Sequence, residues 1–192
     1  MNLAEEIRRT QVSQGELMIC WLGQAGYLLK DGHGCTLAVD PYLTNCGERI
    51  RGFKRLSPML LPAATADHGT MAPDAIGVLL EMGGHRLYFS GDTAFHEELF
   101  CGVAKFQPEI VFMSVNGKFG NMNAEEGARA AELTGARYAV PCHCWTFAEH
   151  GGDPGLFCEC LRGGRCVPVC FRQGEARTLD CKRLFQQMEE SA

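Results

Sequence analysis

At 192 residues the chain has the length of one domain, roughly 100–200 residues, and its 46% hydrophobic content is that of a soluble globular protein. The formal net charge is −5 and Lys and Arg are dispersed, so no basic block exists to neutralise a run of phosphates, which excludes nucleic acid as a partner. The opening MNLAEEIRRTQ lacks the charged, then apolar, then small order of a secretory signal, and no apolar run approaches the ~20 residues of a membrane span. The expectation is a cytoplasmic protein without membrane contact, its 11 cysteines reduced.

In chain order, residues 4–11 read as a short helix. Residues 17–22 and 27–30 are mainly apolar runs around a turn containing Gly23 and Gly26 and predict a two-stranded hairpin. Residues 35–39 predict a third strand, ended by Asp40-Pro41 because proline cannot donate to a ladder. Residues 42–66, with two glycines and two further prolines, read mainly as loop. Residues 75–82 and 86–90 predict strands joined at Gly83-Gly84, followed by a helix over 96–104 and a buried strand over 109–113. Asn123 with Glu126 three residues on has the spacing of a capping box. That helix should run to Thr134 and stop at Gly135. A strand over 137–140 ends at Pro141, Asp153-Pro154 opens another helix, residues 166–170 form a short strand, and the tail from Lys182 frays. Strands first, then alternating helices and strands, predict a layered α/β or α+β domain over residues 1–192.

Four polar or metal-binding groups stand at or near the ends of apolar runs: Asp40 after TLAV, His68 in TADHG, Asp92 in YFSGDT and His143 after YAVPC. Loops at strand ends are where such domains place their sites. Gly91 permits the tight turn that would aim the Asp92 carboxylate outward. Read alone, Asp92 serves equally as a turn-capping residue, and His143 as a hydrogen-bonded core histidine beside Trp145. His68 alone is weaker still.

Taken together, three segments resemble the lactonase-like metallo-β-lactamase family, closest to the L-ascorbate-6-phosphate lactonase group. They are WLGQAGYLLK with AVDPYL, then ADHGTMAPDAIGVLLE with RLYFSGDTAF, then VNGKFGNMNAEEGARAAELTGARYAVPCHCWTF. The resemblance covers residues 16–170 and implies an αββα sandwich with its site at one edge between the sheets. It also implies metal, usually zinc or manganese, that activates water against a lactone, ester or phosphoester. The family's ligands begin with H-x-H-x-D-H, followed by a separate histidine, a Gly-Asp carboxylate bridging two metals, and a final histidine. By resemblance Asp92 is the bridging carboxylate, His143 the final histidine and His68 the separate one, with Asp40 supporting them from behind. Asp67-His68 also resembles the last half of H-x-H-x-D-H, but the following APDAIGVLLE matches the context of the separate histidine.

No H-x-H occurs in this chain: its histidines are His33, His68, His85, His96, His143 and His150. PMLLPAAT leads almost directly into ADHG, where the family carries several tens of residues. An internal deletion is therefore expected, giving a truncated sandwich. A catalytic zinc takes three protein ligands and an open position. His68, Asp92 and His143 together make one such set for zinc or manganese, so one divalent ion at most is expected, with Asp92 and His143 as the catalytic residues. Asn116 and Asn121, in a glycine-containing loop after a buried strand, are candidates for contact with a small-molecule substrate. Two readings result: a weakened metal-dependent hydrolase, lactonase- or phosphoesterase-like, or a non-catalytic remnant or binding module. Apolar edges left by lost strands invite homo-oligomerisation. A structural zinc cluster of Cys142, Cys144, Cys158, Cys160, Cys166 and Cys170 is a third reading. Its C-x-C spacing departs from C-x2–4-C, and free thiols packed as small apolar groups are preferred.

Overall fold

The structure is a computed structural model that describes residues 3–41, 52–53, 56 and 77–180. Helix α1, Leu3–Arg9, leads into a hairpin of β1, Glu16–Gly23, and β2, Gly26–Asp31. The hairpin closes with Gly23 opposite Gly26. Strand β3, Thr36–Val39, lies outside β2, and β9, Ala176–Asp180, lies on the other side of β1. All pairs in this sheet are antiparallel. The side chains of β1 alternate as the pleat demands. Leu17, Ile19 and Trp21 enter the main core, while Met18, Cys20 and Leu22 form a second cluster with Ile7 of α1. Lys30 fixes the end of α1 by donating to the carbonyls of Ile7, Arg8 and Thr10 at 3.1, 3.0 and 2.7 Å, a cation placed where helix carbonyls lack partners.

The second sheet runs in chain order: β4, Val78–Met82; β5, His85–Phe89; β6, Ile110–Ser114; β7, Tyr138–Cys142; β8, Val167–Pro168. β4 and β5 are an antiparallel hairpin turning at Gly83-Gly84, both at positive φ (62° and 86°), a conformation that favours glycine. The remaining pairs are parallel, and every residue of β6 and β7 is buried, as expected of strands covered on both faces. One cover is the first sheet. The other is α2, Glu97–Val103, with α3, Ala124–Thr134, and α4, Pro154–Cys160. Helix α3 packs between α2 and α4 and over β6 and β7. The layers are therefore helix, sheet, sheet, helix, as the sequence resemblance implied. Among the described residues no helix is long and apolar enough to cross a membrane.

The caps predicted from sequence are present. Asn123 Oδ1 accepts from the Glu126 amide at 2.9 Å, and Glu126 Oε2 accepts from the Asn123 amide at 3.0 Å. Gly135 ends α3 in the left-handed region, φ 69°. Asp153 caps α4, with Pro154 in its first turn. Two expectations need correction, and one strand was not expected. Pro141 does not end β7 but pairs with Met113 inside it. The odd-numbered groups of β7 face β8, as the bond from the Val169 amide to the Ala139 carbonyl shows. β8 pairs only as far as Ala139, so the missing N–H of Pro141 faces no ladder partner and costs nothing. The strand expected over 166–170 shrinks to Val167–Pro168. β9 was not legible in ARTLD because its pairing with β1, not its own pattern, makes it a strand. Most of the loop expected over 42–66, residues 75–76 and the tail from Lys182 lie outside the described residues.

The two sheets meet through aromatic rings. Phe89 and Phe112 stack at 4.2 Å, and Tyr27 of β2 sits 4.5 Å from Phe112 and 5.7 Å from Phe89. Phe112 is 1% exposed. Phe112→Ala should destabilise the chain by about 3–5 kcal/mol, measured by urea unfolding, whereas Asn123→Ala should cost about 1 kcal/mol.

Candidate metal centre

The β1–β2 turn and the segment after β7 are stitched together at one edge of the sandwich. The His143 amide donates to the Gln24 carbonyl at 2.9 Å, and Trp21 Nε1 donates to the same oxygen at 3.0 Å. The Gln24 amide donates to Thr146 Oγ1 at 2.7 Å. These bonds hold residues in unfavourable backbone conformations. Among the described residues, Gln24, Asp40 and His143 are non-glycine residues at positive φ (57°, 40° and 60°), as are Phe119 and Trp145 nearby (58° and 59°). Each left-handed non-glycine residue costs on the order of 1 kcal/mol or more, and such strain gathers at functional sites.

Asp92 and His143 converge. Asp92 Oδ1 lies 2.9 Å from His143 Nε2, and Asn121 Nδ2 donates to the same oxygen at 3.2 Å. The histidine is buried, whereas the Asp92 side chain is 58% exposed, so the pair opens to solvent. Partial burial alone would raise the Asp92 pKa. The hydrogen bond and charge of His143, the Asn121 bond and the His150 charge outweigh it and hold the carboxyl below its usual range. Asp40 shares this field. Its carboxyl is pushed up, first by desolvation and then by the Asp92 charge, against the pull of His143.

A polar cluster unremarked in the sequence backs the pair. Gln24 Nε2 lies 2.8 Å from His143 Nε2 and 2.9 Å from His150 Nδ1, and the two imidazoles are parallel, 5.1 Å apart. His143 Nε2 therefore faces both a carboxylate oxygen and an amide N–H. It has either one hydrogen or one lone pair, so it satisfies one of them at a time. Phe53, Phe119 and Phe147 surround His150, with ring centroids 5.3, 5.4 and 4.8 Å from its own. Gln24 stands in WLGQAGYLLK, but its role depends on the turn meeting a segment 119 residues away, for which the sequence carries no local signal.

The other expected residues divide. Asn121 reaches Asp92 and orients it. Asn116 is buried beneath Gly151 and Gly152, whose added Cβ atoms would stand 3.5 Å from its carbonyl oxygen and 3.3 Å from its Cα. His68 lies outside the described residues. Two ligands of one tetrahedral zinc, each about 2.0–2.2 Å from it, stand about 3.3–3.6 Å apart, so the 2.9 Å between Asp92 Oδ1 and His143 Nε2 is a direct hydrogen-bond contact that must open by about 0.5 Å to admit a shared ion. Among the described residues no set of three His, Cys, Asp or Glu converges, which also removes the six-cysteine zinc cluster. A metal held by this pair would need at least one further ligand.

Desolvation, then the His143 charge, lowers the His150 pKa from 6.5 to about 4. A histidine with a lowered folded value resists a proton that the unfolded chain accepts. Its stabilising contribution is complete above about 6.5 and is lost as pH falls towards about 4. In the metal-free chain the His150 ring should titrate near pH 4 by NMR, and His150→Leu should flatten the fall in urea midpoint between pH 7 and pH 5.

No protein-family model matches the chain. Over 133 residues it is 31% identical to a UPF0173 metal-dependent hydrolase of Deinococcus radiodurans, covering 69% of this chain and 56% of that protein. It is 32% identical over 135 residues to another from Symbiobacterium thermophilum, covering 68% and 60%. The chain thus spans little more than half the length of these relatives. Among solved structures, the metallo hydrolase Igni18 of Ignicoccus hospitalis superposes with a TM-score of 0.60 at 15% identity, over 86% of this chain and 99% of that one. The metallo-beta-lactamase fold protein YhfI of Bacillus subtilis superposes with 0.51 at 14% identity, over 85% and 99%. At such identities the likeness shows the fold. This chain therefore has the metallo-β-lactamase fold, on a sequence similar to the UPF0173 metal-dependent hydrolases.

Proposed function

We propose that the chain is a metal-dependent hydrolase of small molecules whose centre is Asp92 and His143, with His68 as the third ligand. The observation that carries this reading is the 2.9 Å approach of Asp92 Oδ1 to His143 Nε2 at a solvent-open edge between the sheets. A two-histidine, one-carboxylate set suits a single zinc or manganese ion. Such an ion, when bound, would lower the pKa of water toward about 7 and polarise the bond to be cleaved. The carboxylate of Asp92 is kept ionised by His143 and Asn121, ready to ligate at neutral pH. Asn121 fixes its direction, and the Gln24 turn holds the His143 backbone in place. Asp40 shares the field of the pair, its carboxyl pushed up by desolvation and by the Asp92 charge, and would support the ligands from behind. Asn121 stands at the open side of the pair and would meet the substrate, whereas the Asn116 side chain, buried beneath Gly151 and Gly152, is out of its reach. A lactone or phosphoester is the substrate class, inferred from the resemblance of the motifs around Asp92 and His143.

A second reading, a non-catalytic remnant of the fold, is favoured by the lack of any H-x-H pair in the sequence. Metal titration of the purified chain, with lactone and phosphodiester assays, separates the two. The hydrolase reading expects one bound divalent ion and turnover that depends on it. Asp92→Asn or His143→Ala should weaken binding by more than about 100-fold, and Asn121→Ala by about 10–100-fold, as for an outer partner. Two tight ions would refute the single-ion centre. A chain that binds none and turns over nothing would be the remnant.

A further inference from the structure

Away from the centre, two thiols meet. Cys158 Sγ lies 3.3 Å from Cys170 Sγ across 12 positions of sequence. Both are held by their neighbours. Phe157 and Leu161 are buried on either side of Cys158 at the end of α4, and Val169 and Phe171 flank Cys170 just beyond β8. The Val169 amide is tied to Ala139. A disulfide needs sulfurs about 2.05 Å apart, so closure asks for little more than ~1 Å of side-chain movement. Cys170 is exposed and Cys158 half-buried, so a small reagent reaches Cys170 first.

We propose that Cys158 and Cys170 are a redox-active dithiol that a small-molecule disulfide such as oxidised glutathione converts to an intramolecular disulfide, stapling α4 to the segment after β8. The two thiols are chemically unequal. The hydrogen bond from Cys158 lowers the pKa of Cys170, outweighing desolvation, with help from the Arg177 charge, while the same bond and burial raise that of Cys158. Arg177 also lies 5.0 Å over the ring of Phe171. Cys170 is therefore the attacking thiolate. Its sulfur bonds to one sulfur of the glutathione disulfide, whose S–S bond breaks and releases one glutathione thiolate that takes up a proton. Cys158, losing its proton, then attacks the Cys170 sulfur and expels the second glutathione. The protein dithiol gives up two electrons and two protons, and one glutathione disulfide becomes two thiols.

The test is to incubate the full chain with oxidised glutathione, alkylate the remaining thiols and map the peptides. A Cys158–Cys170 cross-link should form, leaving mixed glutathione disulfides at Cys35 and Cys101, which are exposed on other elements. In Cys158→Ser the resolving sulfur is gone, so Cys170 should instead retain glutathione as a stable adduct. The staple closes a short loop, and the oxidised chain should melt about 5 °C or more above the reduced one. The proposal is overturned if the wild-type chain keeps glutathione on Cys170 without the cross-link. It is equally overturned if both thiols remain alkylatable while Cys35 and Cys101 react. The peptide map of the wild-type chain decides this even if the variant does not fold.

Discussion

The centre depends on one junction, the bond from the His143 amide to the Gln24 carbonyl. It ties the turn of the antiparallel sheet to the loop beyond the last fully buried strand of the mixed sheet. Gln24, His143 and Trp145 are all held at positive φ, which isolated turns of these residues would not adopt. The strain is sustained because the backbone bond, the Trp21 indole and the Thr146 hydroxyl all act on the same turn. The aromatic contact of Tyr27 with Phe112 and Phe89 then fixes how far apart the sheets stand. Asp92 and His143 themselves stand just beyond β5 and β7 of the mixed sheet, and the strand order β5-β6-β7 brings them within 2.9 Å.

The electrostatics of the centre follow from this crowding. Two carboxylates, Asp40 and Asp92, and two imidazoles, His143 and His150, share one edge, and their mutual field shifts Asp40, Asp92 and His150. Asp92 is favoured as an anion because it faces His143 and Asn121. Asp40 is disfavoured as an anion because it is desolvated and sees Asp92. The two carboxyls are thus driven in opposite directions, Asp92 held as the anion and Asp40 pushed toward its acid form. His150, buried against phenylalanines, is driven to its neutral form. The cluster therefore concentrates negative charge at Asp92.

Much of the fold was legible because its signals are local. The capping box at Asn123, the glycine stop at Gly135, the Asp153-Pro154 helix start and the Gly83-Gly84 turn each involve neighbours within a few residues. Asp92 was legible for a similar reason, since Gly91 and a preceding apolar strand mark a strand-end carboxylate. Pro141 misled because proline was judged without knowing which edge of β7 it faced. β9 was missed because ARTLD has little pattern of its own and becomes a strand only against Glu16–Cys20.

The sequence by itself determined the layered fold, the helix ends and the chemical types available to the centre, because these rest on periodicity, capping and composition. Only the tertiary structure decided that Gln24 and His150 stand behind His143, that Asn121 binds Asp92 while Asn116 lies beneath a glycine pair, and that Cys158 meets Cys170. Each of these contacts joins segments brought together by sheet packing or strand order. Their energies come from hydrogen bonds and charges a few ångströms apart, and linear spacing carries no record of such distances.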